Sequence, residues 1–126
     1  MTARDNPEER LQRAVVQLLT LAYPDLRWRA IPNGEYRSPR TAGRLKAMGV
    51  QAGVADLHLT LPYGGLCAWI ELKSDKGRQS PEQRAFEKSE LEAGARYALC
   101  RSLDDVERTL HEWGVRRRPT NPVWPQ

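Results

Sequence analysis

Two stretches of this chain, Ala55 to Leu61 and Leu66 to Lys73, alternate apolar and polar residues on either side of Pro62-Tyr63-Gly64-Gly65. Period-two alternation turns one face of a strand toward a core and the other away from it. A four-residue break of Pro and Gly type folds two such strands into an antiparallel hairpin. The loop length sets the register: Leu61 stands opposite Leu66, and paired residue numbers sum to 127. One face then carries Leu57, Leu59, Leu61, Leu66, Ala68, Ile70 and Leu72, and the other Asp56, His58, Thr60, Cys67, Trp69, Glu71 and Lys73. A slip of one residue would mix the two sets, so their segregation supports this register.

The rest of the chain supplies layers for that hairpin. Asn6 is placed to cap a helix with Pro7 at its first position and Glu9 three residues after the cap. The helix runs to about Ala22, with Leu11, Ala14, Val15, Leu18 and Ala22 as its buried stripe. Leu26 to Ile31 alternates as a strand that Pro32-Asn33-Gly34 ends, and a short helix follows from about Thr41 to Met48, closed by Gly49. Ser80 caps a helix running to Gly94 with Phe86 and Leu91 as buried anchors. Tyr97 to Arg101 is then a strand, and Ser102 caps a last helix from Leu103 to Trp113. A right-handed crossover places Tyr97 to Arg101 parallel to Leu66 to Lys73. The expected fold is α/β, a mixed central sheet flanked by helices.

With 126 residues, 40% hydrophobic and 29% charged, the chain has the size of one domain. Its longest apolar stretch, Ala14 to Ala22, is interrupted by Gln17 and Thr20, far short of the roughly 20 residues that cross a bilayer. Asp5, Glu8 and Glu9 stand where a secretory leader would be basic, and Cys67 and Cys100 are too few for a disulfide framework or zinc cluster. A cytoplasmic chain with free thiols is expected. Residues 1–115 form the expected domain and 116–126, with three arginines and three prolines, a basic tail. The net charge is only +4, but no acid lies between Glu35 and Asp56, an interval holding Arg37, Arg40, Arg44 and Lys46. Such an interval suits a phosphate backbone, or it is simply solvated surface.

The polar face of the hairpin concentrates the chemistry. Directly opposed residues bring Cβ atoms about 4.5 to 5.5 Å apart, so Asp56 and Glu71 repel unless a cation sits beside them. Lys73, two residues along, is one candidate; a divalent Mg²⁺ or Mn²⁺, which prefers carboxylate and carbonyl oxygens, is the other. On spacing alone a surface ion network of Asp56, Glu71 and Lys73 also accounts for the pattern. On the first helix Glu8 falls roughly 60° from the centre of the apolar stripe and Glu9 roughly 160° away. Glu8 therefore faces inward, or it is a first-turn acid complementing the helix dipole. Glu9 is expected to partner the Asn6 cap.

Asp56 followed after a hairpin by Glu71-Leu72-Lys73 resembles the core of PD-(D/E)xK nucleases, with a restriction-endonuclease-like fold. More narrowly, the chain resembles the viral-type replication and repair nuclease (VRR-NUC) family. The likeness spans about Glu8 to Leu110 and includes Ile31 to Gly34, Gly49 to Asp56 (G-V-Q-A-G-V-A-D), Ile70 to Lys73 (I-E-L-K), Ser80 to Gln83 and Gly94. Ala55 departs from the proline common in the family before the aspartate.

The resemblance implies that Asp56, Glu71 and the Leu72 backbone carbonyl hold Mg²⁺ or Mn²⁺, with Glu8 as an additional ligand. It also implies that Lys73 orients or deprotonates the attacking water and that Gln83 contacts Lys73 or a bound water. Gln83 is equally suited to a capping box with Ser80. The implied substrate is DNA, branched structures such as four-way junctions, cut by a homodimer with no nucleotide cofactor; a phage or mobile-element origin would fit. Arg37, Arg40, Arg44 and Lys46 are then candidate DNA contacts, as are Lys76 and Arg78 in the loop before Ser80. His58 is expected to be solvent-exposed or to pack, and Trp69 to pack, rather than bind, and Cys67 and Cys100 are expected to be ordinary core or half-buried residues. A non-catalytic nucleic-acid-binding module with the same fold is the alternative.

Overall fold

The structure, a computed structural model, describes residues 6–32 and 38–119. The elements are α1 (Pro7–Ala22), β1 (Arg27–Ala30), α2 (Pro39–Ala47), β2 (Leu57–Thr60), β3 (Cys67–Leu72), α3 (Pro81–Glu92), β4 (Arg96–Cys100) and α4 (Leu103–Glu112). The strands form one mixed sheet in the order β1-β2-β3-β4. The hairpin has the expected register, with Leu57 opposite Ile70 and Thr60 opposite Cys67, and the Leu61 amide closes the turn on the Leu66 carbonyl at 2.9 Å. β1 is antiparallel to β2, and β4 lies parallel to β3 as the crossover rule requires.

The two faces of the sheet are covered by different helices. On the apolar face Val15 and Leu19 of α1 and Val106 and Leu110 of α4 lie fully buried against Leu57, Leu59, Ala68 and Ile70. Each such side chain contributes about 1.5 to 3 kcal/mol by leaving water. α3 covers the other face through Phe86, whose ring meets Trp69 edge-on at 5.0 Å between centroids and approaches Tyr97 at 6.3 Å. Trp69 also donates from Nε1 to Glu90 Oε1 at 2.7 Å, so its ring is fixed within the protein.

Several sequence expectations change in detail. Leu19, absent from the expected stripe of α1, is fully buried, while Leu11 and Leu18 are half-buried. α1 packs on α4 as well as on the sheet, and that turns the buried arc toward Val15, Leu19 and Ala22. Leu91 is not a buried anchor: it is 49% exposed, leaving Phe86 as the buried apolar residue of α3. Asn6 does cap α1, accepting from the Glu8 and Glu9 amides, but the Glu9 carboxylate pairs with Arg13 one turn on at 3.1 Å. α2 begins earlier than expected because Ser38 caps it and Pro39 takes its first position. Asn33, Gly34 and Arg37 lie outside the described residues.

Beyond α4 the chain docks back onto α1. Val115 is buried, the Arg118 amide donates to the Ala22 carbonyl at 2.7 Å, and Arg117 pairs with Glu107 at 2.7 Å. Tyr23 donates to the same Glu107, and burial with that bond pushes its phenol up to about 12. Among the described residues no helix is long and apolar enough to cross a membrane.

Candidate metal and phosphate site

At the end of the hairpin opposite its turn, two helix N-termini converge on two strand ends. The Ile31 amide donates to the Asp56 carbonyl at 2.8 Å, carrying the β1–β2 ladder one step past the regular strands. Across the hairpin the Leu72 amide donates to Asp56 Oδ2 at 2.7 Å, tying the aspartate to β3. Because the N–H and C=O of one strand residue leave on the same side, the Leu72 carbonyl is also directed toward the Asp56 strand. Burial, and behind it the charges of Glu71 and Glu8, push the Asp56 carboxyl above its usual range, while the Leu72 bond and Lys73 pull it back.

Glu71 is fully buried, an unusual place for a carboxylate. Its two oxygens are treated differently. Oε1 accepts from the Tyr97 hydroxyl of β4 and, at 3.4 Å, from Gln79 Nε2; Gln79 is itself held by Glu87 at 3.0 Å. Burial and the Glu71 bond raise the Tyr97 phenol far above its usual range, so it stays a donor. Oε2 is buried and, among the described residues, accepts no hydrogen bond; Lys73 Nζ stands 3.5 Å from it. Lys73 is 8% exposed, so a surface ion network does not describe this pair.

The loop after Lys73 is pinned from behind. Arg101 Nη1 donates to the carbonyls of Ser74, Asp75 and Gly77 at 2.6, 3.3 and 2.8 Å. Glu8 reaches this loop from α1: a Cβ on Gly77 would lie 2.7 Å from Glu8 Oε2 and 3.3 Å from Lys73 Cδ. Glu8 thus reaches the loop after Lys73, while Glu9 lines the cavity beside it with its carboxylate paired to Arg13. Glu8, Gln12, Asp56, Leu72 and Gln83 share a cavity of about 1150 Å³ that opens beside α1.

Gln83 closes the capping box: its Oε1 accepts from the Ser80 amide at 2.8 Å and its amide donates to Ser80 Oγ at 3.1 Å. It still lines the cavity, because Gly53 lets the chain leading into Asp56 lie directly on this first turn of α3. A Cβ there would sit 2.4 Å from the Glu82 carbonyl oxygen and 2.9 Å from the Gln83 amide, and its φ is +83°. Only glycine fits both demands.

The basic candidates among the described residues are all exposed. Arg40, Arg44 and Lys46 are exposed on α2, a helix with no buried residue, and Lys76 and Arg78 are exposed on the loop before Ser80. His58 and Trp69 pack, as expected: their rings are 4.6 Å apart. Cys100 is buried and Cys67 half-buried. Tyr97, Gln79 and Arg101 were not foreseen as parts of the site. Tyr97 and Arg101 reach Glu71 and its loop only once β4 is docked, and Gln79 is brought back to Glu71 by the turn of that loop.

The donor set suits a hard divalent cation in part. An orphaned buried carboxylate oxygen, a second carboxylate destabilised by burial and a backbone carbonyl directed at the same edge are groups such a cation satisfies. Among the described residues, no three Asp, Glu, His or Cys side chains gather tightly enough to hold a metal by themselves.

No family model and no curated protein matches this sequence. Among solved structures, one described as a VRR_NUC domain protein superposes with a TM-score of 0.63 at 21% identity, over 88% of this chain and 90% of that one. Another, described as a VRR_NUC domain, gives 0.57 at 20% identity, over 86% of this chain and 99% of that one. The small α/β fold, with its four-stranded mixed sheet, is that of VRR_NUC domains.

Proposed function

We propose that the chain is a Mg²⁺- or Mn²⁺-dependent DNA endonuclease of the VRR-NUC type, hydrolysing phosphodiester bonds in branched DNA such as four-way junctions. The observation that carries this reading is the buried Glu71 carboxylate, with Oε1 tied down and Oε2 left for a cation, beside Lys73 and opposite Asp56 in a VRR_NUC fold. Asp56, Glu71 and the Leu72 carbonyl would hold the metal, and Glu8 would serve at its rim. A divalent cation bound there supplies charge that polarises a phosphoryl oxygen and acidifies a water.

The chain's own groups do the rest. Tyr97 and Gln79 fix the plane of Glu71, so that Oε2 alone is presented. Lys73, held against Glu71 and low in exposure, orients the attacking water and offers a positive charge as negative charge gathers at phosphorus. Gln83, at the cavity wall, is within its helix cap and contributes orientation. Arg37, Arg40, Arg44, Lys46, Lys76 and Arg78 would contact the backbone, a type of contact that positions DNA without reading its sequence. A homodimer would let two sites act on two strands, and exposed apolar residues such as Leu21 and Met48 are available to such an interface. In this reading residues 1–115 are the nuclease unit, 116–126 a basic tail, and the protein works in the cytoplasm.

Labelled four-way junction, flap, single-stranded and plain duplex DNA, incubated with Mg²⁺, Mn²⁺ or EDTA, tests the reading. Cutting is expected with metal, none with EDTA, and a loss of about 10²- to 10³-fold in Lys73→Ala. Binding without cutting under either metal would overturn the enzyme and leave a nucleic-acid-binding module.

A further inference from the structure

β1 is an edge strand, and Arg27, Arg29 and Ala30 are exposed on it. Arg29 stands directly opposite His58 in the β1–β2 ladder, and Ile31 is bonded to Asp56 one step further on. Residues two apart on a strand share a face, so Asp56, His58 and Arg29 lie on the same one. Arg29 and Asp56 are therefore diagonal neighbours, about 7 to 8 Å apart and within the reach of a long side chain.

The Arg29 side chain is exposed, but it is not free to wander. Its Nη1 contacts His58 Nδ1. A guanidinium only donates, so Nδ1 must accept, and the ring proton resides on Nε2, which faces Cys67 Sγ at 3.3 Å. The His58 ring is in turn fixed on Trp69. A chain of contacts from α3 through Trp69 and His58 thus holds the guanidinium on the face of the sheet that carries Asp56. Among the described residues, the contact with His58 is the hydrogen bond that the Arg29 side chain makes. A neutral acceptor, unlike a carboxylate, does not itself cancel the charge of the cation it holds.

Resting on the nuclease reading above, we propose that Arg29 grips a DNA phosphate adjacent to the one cut, and that His58 is its positioning residue. A guanidinium suits this task because its planar fork matches a phosphate with two parallel hydrogen bonds.

The test compares wild type with Arg29→Gln, Arg29→Lys and His58→Phe, the last keeping a ring against Trp69 while removing the acceptor. Affinity for fluorescein-labelled four-way junction and duplex is measured in EDTA over a range of salt, and cutting is measured with Mg²⁺ and with Mn²⁺. Arg29→Gln is expected to bind about tenfold more weakly. Its log affinity should fall less steeply with log salt, by about 0.9, the signature of one phosphate contact removed. Arg29→Lys keeps the slope and loses part of the affinity. His58→Phe likewise keeps the slope, with an affinity between wild type and Arg29→Gln, a pattern that a merely structural role would not give. If Arg29→Gln matches wild type in affinity and slope while wild type cuts DNA, the phosphate contact is refuted and the nuclease stands. If wild type binds and does not cut, the nuclease falls, and the slope of Arg29→Gln still decides the contact. If wild type neither binds nor cuts, both fall.

Discussion

On one face of the β2–β3 hairpin, Leu57, Leu59, Ala68 and Ile70 are closed off from water by α1 and α4; on the other, Glu71 is closed off just as completely beneath α3, β4 and the loop after Lys73. The first face is held by packing that needs no partner beyond its neighbours. The second has donors and acceptors that must be matched, and one carboxylate oxygen is left over. A chain selected only for stability would fill that face with apolar side chains, since a buried ion pair is often no better than a hydrophobic replacement. Burial therefore serves two ends: on the α1 and α4 side it stabilises the fold, and on the α3 side it keeps charges from water.

The largest effect should come from Glu71→Gln, which preserves shape and removes the charge. Cutting is expected to fall about 10³-fold, near 4 kcal/mol of activation free energy, while a cooperative melt remains. One residue away on the opposite face, Ile70→Ala should do the reverse: about 2 to 5 kcal/mol of stability lost, with little change in cutting per folded molecule. Thermal denaturation alongside the junction assay checks both. If Glu71→Gln still cuts, or if Ile70→Ala loses activity while remaining folded, the division between the faces collapses.

A smaller effect is expected where the two faces are joined. Gly53 lets the strand approach rest on the first turn of α3, and the contacts a Cβ would make are all to backbone. Gly53→Ala meets both a positive φ and this close approach, so a loss of about 1 to 3 kcal/mol is expected. Because α3 shields only the polar face, cutting should fall further than the melt alone accounts for. Activity that simply tracks the folded fraction would show that α3 positions nothing in the site.

The hairpin was legible because its signal is local: alternation and a four-residue turn fix which residues face each other, and the observed pairs obey the expected sum. For the same reason Asp56, Glu71, Lys73 and the inward side of α1 could be assembled from spacing. Tyr97 and Arg101 could not, because each enters through the docking of β4, distant in sequence, and Arg29 meets His58 only through the pairing of β1 with β2. Leu91 was misjudged by periodicity alone, since α3 sits over a narrow strip of sheet centred on Phe86, Trp69 and Tyr97. Gly53 stood inside a recognisable motif, but its reason is a backbone contact with Glu82 and Gln83 that only the fold supplies.

The smallest effect separates two aspartates that the fold pushes in opposite directions. Asp56 is raised by burial on the polar face, whereas Asp105, on the helix that covers the apolar face, is lowered. The cause at Asp105 is first its bond from the Arg101 amide, at 2.8 Å; burial opposes that bond, and Arg108 and the Ser102 cap add to it. A carboxyl depressed in the folded state adds stability that is present above its unfolded value, near 3.9, and is lost as pH falls through the folded one. Asp105→Asn should therefore melt slightly below wild type at pH 7 and match it near pH 2. The comparison isolates charge, because asparagine keeps an oxygen for the Arg101 amide and can still follow the Ser102 cap. An equal deficit at both pH values would mean that Asp105 acts through its shape. The contrast between a carboxylate held for function and one held for stability would then have to rest on Glu71 and Asp56 alone.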